Sequence, residues 1–277
     1  GAGLAFQSQS TLTLDIRGDL PIVNAELNAR LEHQFRGELE SIRYPTIGMQ
    51  IRATDRLDIG LVYRGEVELS NTIIAIANAD VTGTTLDFDL ISTSTSLFAP
   101  QQVSLALQYA ILENLSVAFE LTWMDWSSHP SLIADQEISL TVDILGDLGE
   151  IGALPPLPMN LHDTFVPRLG VEYRALEGTT NVDLRFGYVY ENSPFPAQRG
   201  ITNFVDNDKH TLSLGLGLGF GGLRPTLPGR IVVNAHALLS LLQDRDHLKD
   251  SLADSVGDYR SSGFLYGLGV DLSVVFE

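Results

Sequence analysis

Leu115, Val117, Phe119, Leu121 and Trp123 are separated by Ser116, Ala118, Glu120 and Thr122, so large apolar side chains take every second position. A period of two sends the two sets to opposite faces of a β-strand. The pattern recurs along the chain. Leu57, Ile59, Leu61 and Tyr63 alternate with Asp58, Gly60, Val62 and Arg64, and Val103, Leu105, Leu107 and Tyr109 with Ser104, Ala106 and Gln108. It returns at Leu169, Val171 and Tyr173, at Val182 through Tyr190, at Leu212 through Phe220, and at Phe264 through Phe276. Strands are predicted over residues 3–17, 22–35, 38–54, 57–71, 85–112, 114–127, 163–176, 180–192, 208–221, 229–242 and 259–276. That is eleven, with Pro100 removing a ladder donor and interrupting the longest.

Strand length separates two all-β readings. Strands of soluble sandwiches run to about five or six residues, whereas a strand crossing a bilayer needs about ten. Most of these segments reach or pass the longer figure. The connections alternate as well. Short links fall at 18–21, 54–56, 112–114 and 177–179, with a slightly longer one at 221–228. Long links fall at 35–40, 71–84, 127–162, 191–208 and 242–259. Alternation of short and long connections is the habit of outer-membrane barrels. The chain therefore reads as a single domain, residues 1–277, forming a transmembrane antiparallel β-barrel. The link 127–162 is expected to carry a short helix or a strand pair around 138–148. A soluble β-rich binding domain and a general porin or structural barrel are the competing readings.

The aromatics support a membrane. Tyr63, Tyr109, Trp123, Trp126, Tyr188, Tyr190 and Phe276 stand near strand ends, where amphipathic rings sit at membrane interfaces. The other face mixes glycine and alanine with Glu120, Arg168, Glu172, Asp183 and Arg185, a composition suited to a polar lumen in which the charges pair.

Composition narrows the function. With 35 acidic against 17 basic residues the net charge is -18, which opposes binding to nucleic acid or, through a basic patch, to an anionic leaflet. Cysteine is absent, which removes disulfides and thiolate chemistry, and the six histidines show no metal-ligand spacing. No cofactor is implied. No apolar run approaches the roughly 20 residues of a spanning helix, and mean hydropathy is nonetheless positive, at +0.10. Ser8, Ser10, Ser92, Ser94 and Ser96 have no histidine and acid partner at readable spacing, so no catalytic residue is assigned and the protein is not expected to be an enzyme.

The run Gly187-Tyr188-Val189-Tyr190-Glu191-Asn192-Ser193-Pro194-Phe195-Pro196, followed by Asp206 to His210, resembles the C-terminal part of the long-chain fatty acid transporter family of Gram-negative outer membranes. That family also contains aromatic-hydrocarbon channels. Pro167 through Tyr173 and the Trp-Met-Asp-Trp run at 123–126 extend the resemblance over most of the chain from about residue 44. The resemblance implies a monomeric barrel of about 14 strands, a hatch N-terminal to the first strand, and uptake of hydrophobic molecules captured by the outer loops. No hatch-like segment precedes the first predicted strand, so the hatch and first strands are expected to lie before Gly1.

For an amphipathic ligand the chain offers an apolar mouth and polar anchors. The candidates are Leu145, Leu148, Ile151, Leu154 and Leu157 in the longest link, Phe195, Ile201 and Phe204 in the next, and Arg168 or Arg185 for a carboxylate. The acidic residues 206, 208, 244, 246, 250, 254 and 258 are expected to face solvent or, through divalent cations, lipopolysaccharide.

Overall fold

The computed structural model describes residues 1–6, 10–21, 28–39, 43–81, 84–130, 135–142, 146–150, 159–221 and 229–276. The strands are β1 (Ala2–Phe6), β2 (Ser10–Pro21), β3 (Asn28–Leu39), β4 (Arg43–Thr54), β5 (Leu57–Arg64), β6 (Val67–Val81), β7 (Thr84–Ala99) and β8 (Gln102–Leu112). They continue with β9 (Leu115–Met124), β10 (Asp135–Val142), β11 (Gly146–Glu150), β12 (Thr164–Leu176), β13 (Thr180–Glu191), β14 (Lys209–Phe220), β15 (Gly229–His247) and β16 (Tyr259–Phe276). Ten form one antiparallel sheet in the order β1-β4-β5-β8-β9-β12-β13-β14-β15-β16, and six form a second in the order β11-β10-β7-β6-β3-β2.

The two sheets are related through the chain. β1 leads into β2, β3 into β4, β5 into β6 and β7 into β8, so the second sheet carries four neighbouring strands of the first outward, away from the short turns. The break between β7 and β8 falls at Pro100, as the missing donor requires. At the matching break after β5, the Gly65 N–H bonds Pro45 O at 2.8 Å. A Cβ on Gly65 would sit 2.6 Å from Pro45 Cδ, so only glycine lets the chain pass this close.

Four sequence expectations are corrected here. The long link at 35–40 falls within β3 up to Leu39, and the link at 242–259 begins only after His247 at the end of β15. The turn placed at 18–21 lies inside β2, whose residues 18–21 pair with residues 28–31 of β3. The long link at 71–84 is a pair of strands instead, with β6 and β7 registered from Val67↔Ala99 to Val81↔Thr84. Gly18 and Pro21 imitate a turn, and the contiguous Ile73-Ile74 breaks the alternation, but pairing on both sides of β6 overrides these local signals. The eleven predicted crossings become ten strands in the larger sheet. The strand pair expected around 138–148 is present as β10 and β11, added to the edge of the second sheet.

Register fixes which residues share a face, because directly opposed residues in an antiparallel ladder point the same way. Ile51, Ile59, Leu107, Phe119, Leu169, Tyr188, Leu212, Leu239 and Tyr266 form one continuous cross-strand row over nine strands. Parallel to it, on the opposite face, run Gln50, Gly60, Ala106, Glu120, Arg168, Val189, Thr211 and Ser240.

The apolar face is not covered by protein. Leu214 is 62% exposed and Leu268 80%, while Val166 is the one buried hydrophobic residue among those described. A water-soluble sheet of this size would bury that face against a second layer; a sheet solvated by lipid presents it outward. The long connections 192–208 and 248–258 share one end of the sheet, and the short turns at 55–56, 113–114 and 177–179 lie at the other.

Candidate substrate-binding lumen

The polar face carries two charged bands separated by a strip of small residues. In the outer band, Arg168 Nη1 lies 2.5 Å from Glu120 Oε1 and donates to Thr122 Oγ1 at 2.8 Å. Thr122 donates its hydroxyl to Glu120 at 3.0 Å, leaving Ser104 as the donor in the 2.9 Å contact between the two hydroxyls. Thr122 and Ser104 are buried, so the pair is held from below and its geometry is set by the wall.

In the band nearer the short turns, Arg185 reaches Glu172 at 3.1 Å, Asp183 at 3.4 Å and Asn234 Oδ1 at 3.3 Å. Asn234 passes its amide to Asp271 at 2.9 Å. β12, β13, β15 and β16 each contribute a side chain to this network and β14 lies between β13 and β15, so it exists only once five strands are in register.

Between the bands lie Gln108, Ala118, Gly170 and Gly187 in one row. Small side chains leave room there. A cavity of about 970 Å³ is lined by Gly60, Ala106, Ala118, Gly170 and Gly187, with Arg64, Glu120 and Arg168 in its wall. A hollow of about 270 Å³ leads on from Ala118 and Gly170 to Glu172 and Arg185. On the opposite, apolar face a depression of about 700 Å³ lies over Ala235 and Ala237, flanked by Leu214, Leu216, Leu268 and Val270.

Glu120 and Arg168, and Glu172, Asp183 and Arg185, are thus brought together as the sequence pattern suggested, and both arginines are already engaged by carboxylates. Alternation places Ser104, Thr122, Arg64 and Asp271 on the small and polar face of their strands but assigns them no role, and it does not single out Asn234. Alternation is a signal only within each strand, as for Thr122 with Glu120 on β9 or Ser104 with Ala106 on β8; which of these faces meet across strands is set by pairing. Phe195 and Phe204 meet with ring centroids 5.4 Å apart, whereas Ile201 stands exposed in the same loop. Leu145, Ile151, Leu154 and Leu157 lie outside the described residues, and Leu148 is placed only as a backbone position of β11.

Most of the aromatics selected as interface residues fall on the apolar face. Tyr63 and Trp123 share a row with Ile47, Val103 and Phe165. Their polar tips turn toward the outer connection: Tyr63 Oη donates to Gln101 at 3.1 Å and Trp123 Nε1 to Asp163 at 3.0 Å. Tyr188 Oη is bonded to His210 Nδ1 at 2.8 Å, and Tyr190 donates to Asp208 at 2.8 Å. Tyr109 lies at the short-turn end, opposite Leu57 and Val117. Trp126 differs: it sits in a single 3-10 turn, Trp126–Ser128, near the rings of Phe98 and His129. Phe276 is placed by backbone pairing with Gly229.

Above the lumen, the connections 192–208 and 248–258 are tied to the outer end of β15. His247 is 1% exposed and stacks on Tyr259 at 4.3 Å. Its Nδ1 accepts the Gln198 N–H at 2.9 Å, so the ring is neutral with its proton on Nε2, which reaches Ser261 Oγ at 3.2 Å. Ser261 donates to Asn207 Oδ1 at 2.7 Å, and Asn207 donates to Ser261 O and Gln243 O.

Burial, then the nearby Arg245 and Lys249 charges, hold the His247 pKa below the ordinary value of 6.5. The neutral ring is the form the closed loops bind. Their stability is therefore complete above the ordinary histidine value and is lost as pH falls from there toward the depressed one. Backbone hydrogen exchange of 192–208, corrected for intrinsic rate, is expected to accelerate between about pH 7.5 and pH 5.5. A His247→Gln variant should lack that acid step, and an equal step in the variant would refute the assignment.

A wall of long antiparallel strands, apolar and uncovered on one face, polar and rich in small residues on the other, is that of an outer-membrane β-barrel. The chain belongs to the family described as Outer membrane protein transport protein (OMPP1/FadL/TodX), which matches residues 1–221. Among solved structures, the chain is similar to the CymD monoaromatic hydrocarbon channel, with 15% identity, a TM-score of 0.44, and coverage of 100% of this chain and 78% of that one. It is also similar to a Pseudomonas aeruginosa FadL homologue, with 12% identity, a TM-score of 0.42, and coverage of 97% and 74%. No curated protein matches the chain.

Proposed function

We propose that the protein takes up hydrophobic small molecules, such as long-chain fatty acids or aromatic hydrocarbons, by binding in the lumen and passive passage. The carrying observation is the cavity of about 970 Å³ floored by Gly60, Ala106, Ala118, Gly170 and Gly187. Its floor gives an apolar body a surface free of bulky groups, while the Glu120–Arg168 pair neutralises the adjacent wall. Because each charge there has its partner, a neutral chain can lie beside them without stranding a bare ion. Passage needs no proton transfer or bond breaking, and the paired carboxylates serve the wall instead of a reaction.

The reading is tested with full-length protein in planar bilayers and in liposomes. Saturable displacement of an apolar fluorescent probe by fatty acids or aromatic hydrocarbons is expected, together with little ion conductance. A stable, large-conductance pore without saturable displacement would indicate a general porin and defeat the proposal.

A further inference from the structure

Four charged side chains stand in the wall of the main cavity: Asp58, Arg64, Glu120 and Arg168. Three are paired. Asp58 meets Arg52 at 3.4 Å, and Glu120 meets Arg168 at 2.5 Å. Arg64 is the fourth, and no ion pair or side-chain hydrogen bond joins it to another described residue.

Register explains why it stands alone. Its cross-strand neighbours are Thr46 on β4 and Gln102 on β8, neither able to neutralise a guanidinium. The carboxylate two residues further on, Glu66, accepts from Ser128 Oγ at 2.9 Å. The backbone that carries Arg64 is fixed on one side by Gly65, whose N–H bonds Pro45 O and which passes close to the Pro45 ring.

Arg64 lies at the outer end of the cavity, four residues along β5 from Gly60 and hence roughly 13 Å above the glycine and alanine floor. A planar guanidinium with unused donors matches a carboxylate in fork geometry. We propose that Arg64 anchors the anionic head group of an amphipathic ligand whose apolar body extends along Gly60, Ala106, Ala118, Gly170 and Gly187. The cavity then prefers single-headed carboxylates to neutral molecules of equal chain length. This rests on the hydrophobic-ligand reading above and assigns the head group to a residue other than Arg168 or Arg185, which are occupied.

The experiment uses full-length protein in phosphatidylcholine nanodiscs at about pH 8, with dodecanoate and dodecanol competing against one apolar fluorescent probe. Dodecanoate is expected to bind the unaltered protein about tenfold more tightly than dodecanol, the lower end of what a charge-assisted hydrogen bond contributes. Arg64→Gln should bring dodecanoate down to the level of dodecanol while leaving dodecanol unchanged, and Arg64→Lys should keep part of the preference. The inference is overturned if Arg64→Gln retains the preference, or if it weakens both ligands equally. If neither ligand displaces the probe from the unaltered protein, the hydrophobic-ligand reading itself falls, and the inference with it.

Discussion

Leu214→Arg is expected to lower markedly the yield of productive insertion into liposomes. Leu214 stands on β14 between Phe186 of β13 and Ala237 of β15, in the apolar row that continues to Leu268 of β16, and is 62% exposed. If that face meets acyl chains, a guanidinium there costs about 2–4 kcal/mol near the bilayer midplane. Native folding free energies are only about 5–15 kcal/mol, so a single substitution removes a large share. The matched control is Gln108→Arg, which puts the same charge on the lumen face beside Ala118, opposite Asp58. Water and carboxylates are available to it there, and folding should be nearly unchanged. The readout is the heat-sensitive electrophoretic shift of the folded barrel. Equal folding of the two variants would reverse the assignment of faces, and with it the location of the cavity.

The second large effect is expected at the loops over the mouth. Arg245 Nη1 donates to Phe195 O at 2.8 Å, Asp206 O at 2.9 Å and Ser193 Oγ at 3.2 Å, and Nη2 lies 3.6 Å from Asp208. One guanidinium therefore gathers both ends of the connection 192–208 around the Phe195–Phe204 contact. Arg245→Ala removes a charged donor from two carbonyls and from Ser193 Oγ and takes the cation away from Asp208, which keeps only its bonds from Tyr190 Oη and the Ser193 N–H. Each lost charged hydrogen bond costs about 1.5–3 kcal/mol, so opening of this connection should be favoured by roughly 3 kcal/mol or more. Limited proteolysis should then cut within 192–208 while the strands stay intact. Arg245→Lys should restore part of the resistance, since the three acceptors converge on one nitrogen and an ammonium carries three donors. Resistance equal to the unaltered protein in both variants would show that the loop is held by other contacts.

How far the chain could be read in advance depended on the range of the interaction involved. The alternation from Leu115 to Trp123 predicts β9, its two faces and the inward placement of Glu120, because successive side chains of a strand point opposite ways whatever the neighbours are. The pairing of Glu120 with Arg168 is different. It depends on β12 lying beside β9 with Arg168 opposite Glu120; a slip of one residue would send Arg168 to the lipid face. Residues 18–21 and 71–84 misled for the complementary reason, since turn-forming residues and a broken alternation are local signals that hydrogen bonding to β3 and β7 overcame.

The site divides along the same line. Periodicity placed the lumen charges and the outward aromatics, and it placed Arg64 on the inner face with the rest. Nothing along the sequence distinguishes Arg64 from Arg168 or Arg185. Its isolation comes from facing Thr46 and Gln102, residues 18 and 38 positions away that only strand pairing brings alongside. The sequence by itself determined which solvent each side chain meets, since that follows from bond geometry repeated every two residues. Tertiary structure alone decided which charges of the described wall pair, as Glu120 with Arg168 and Glu172 with Arg185, because Coulombic pairing acts over a few ångströms across strands that are distant in the chain.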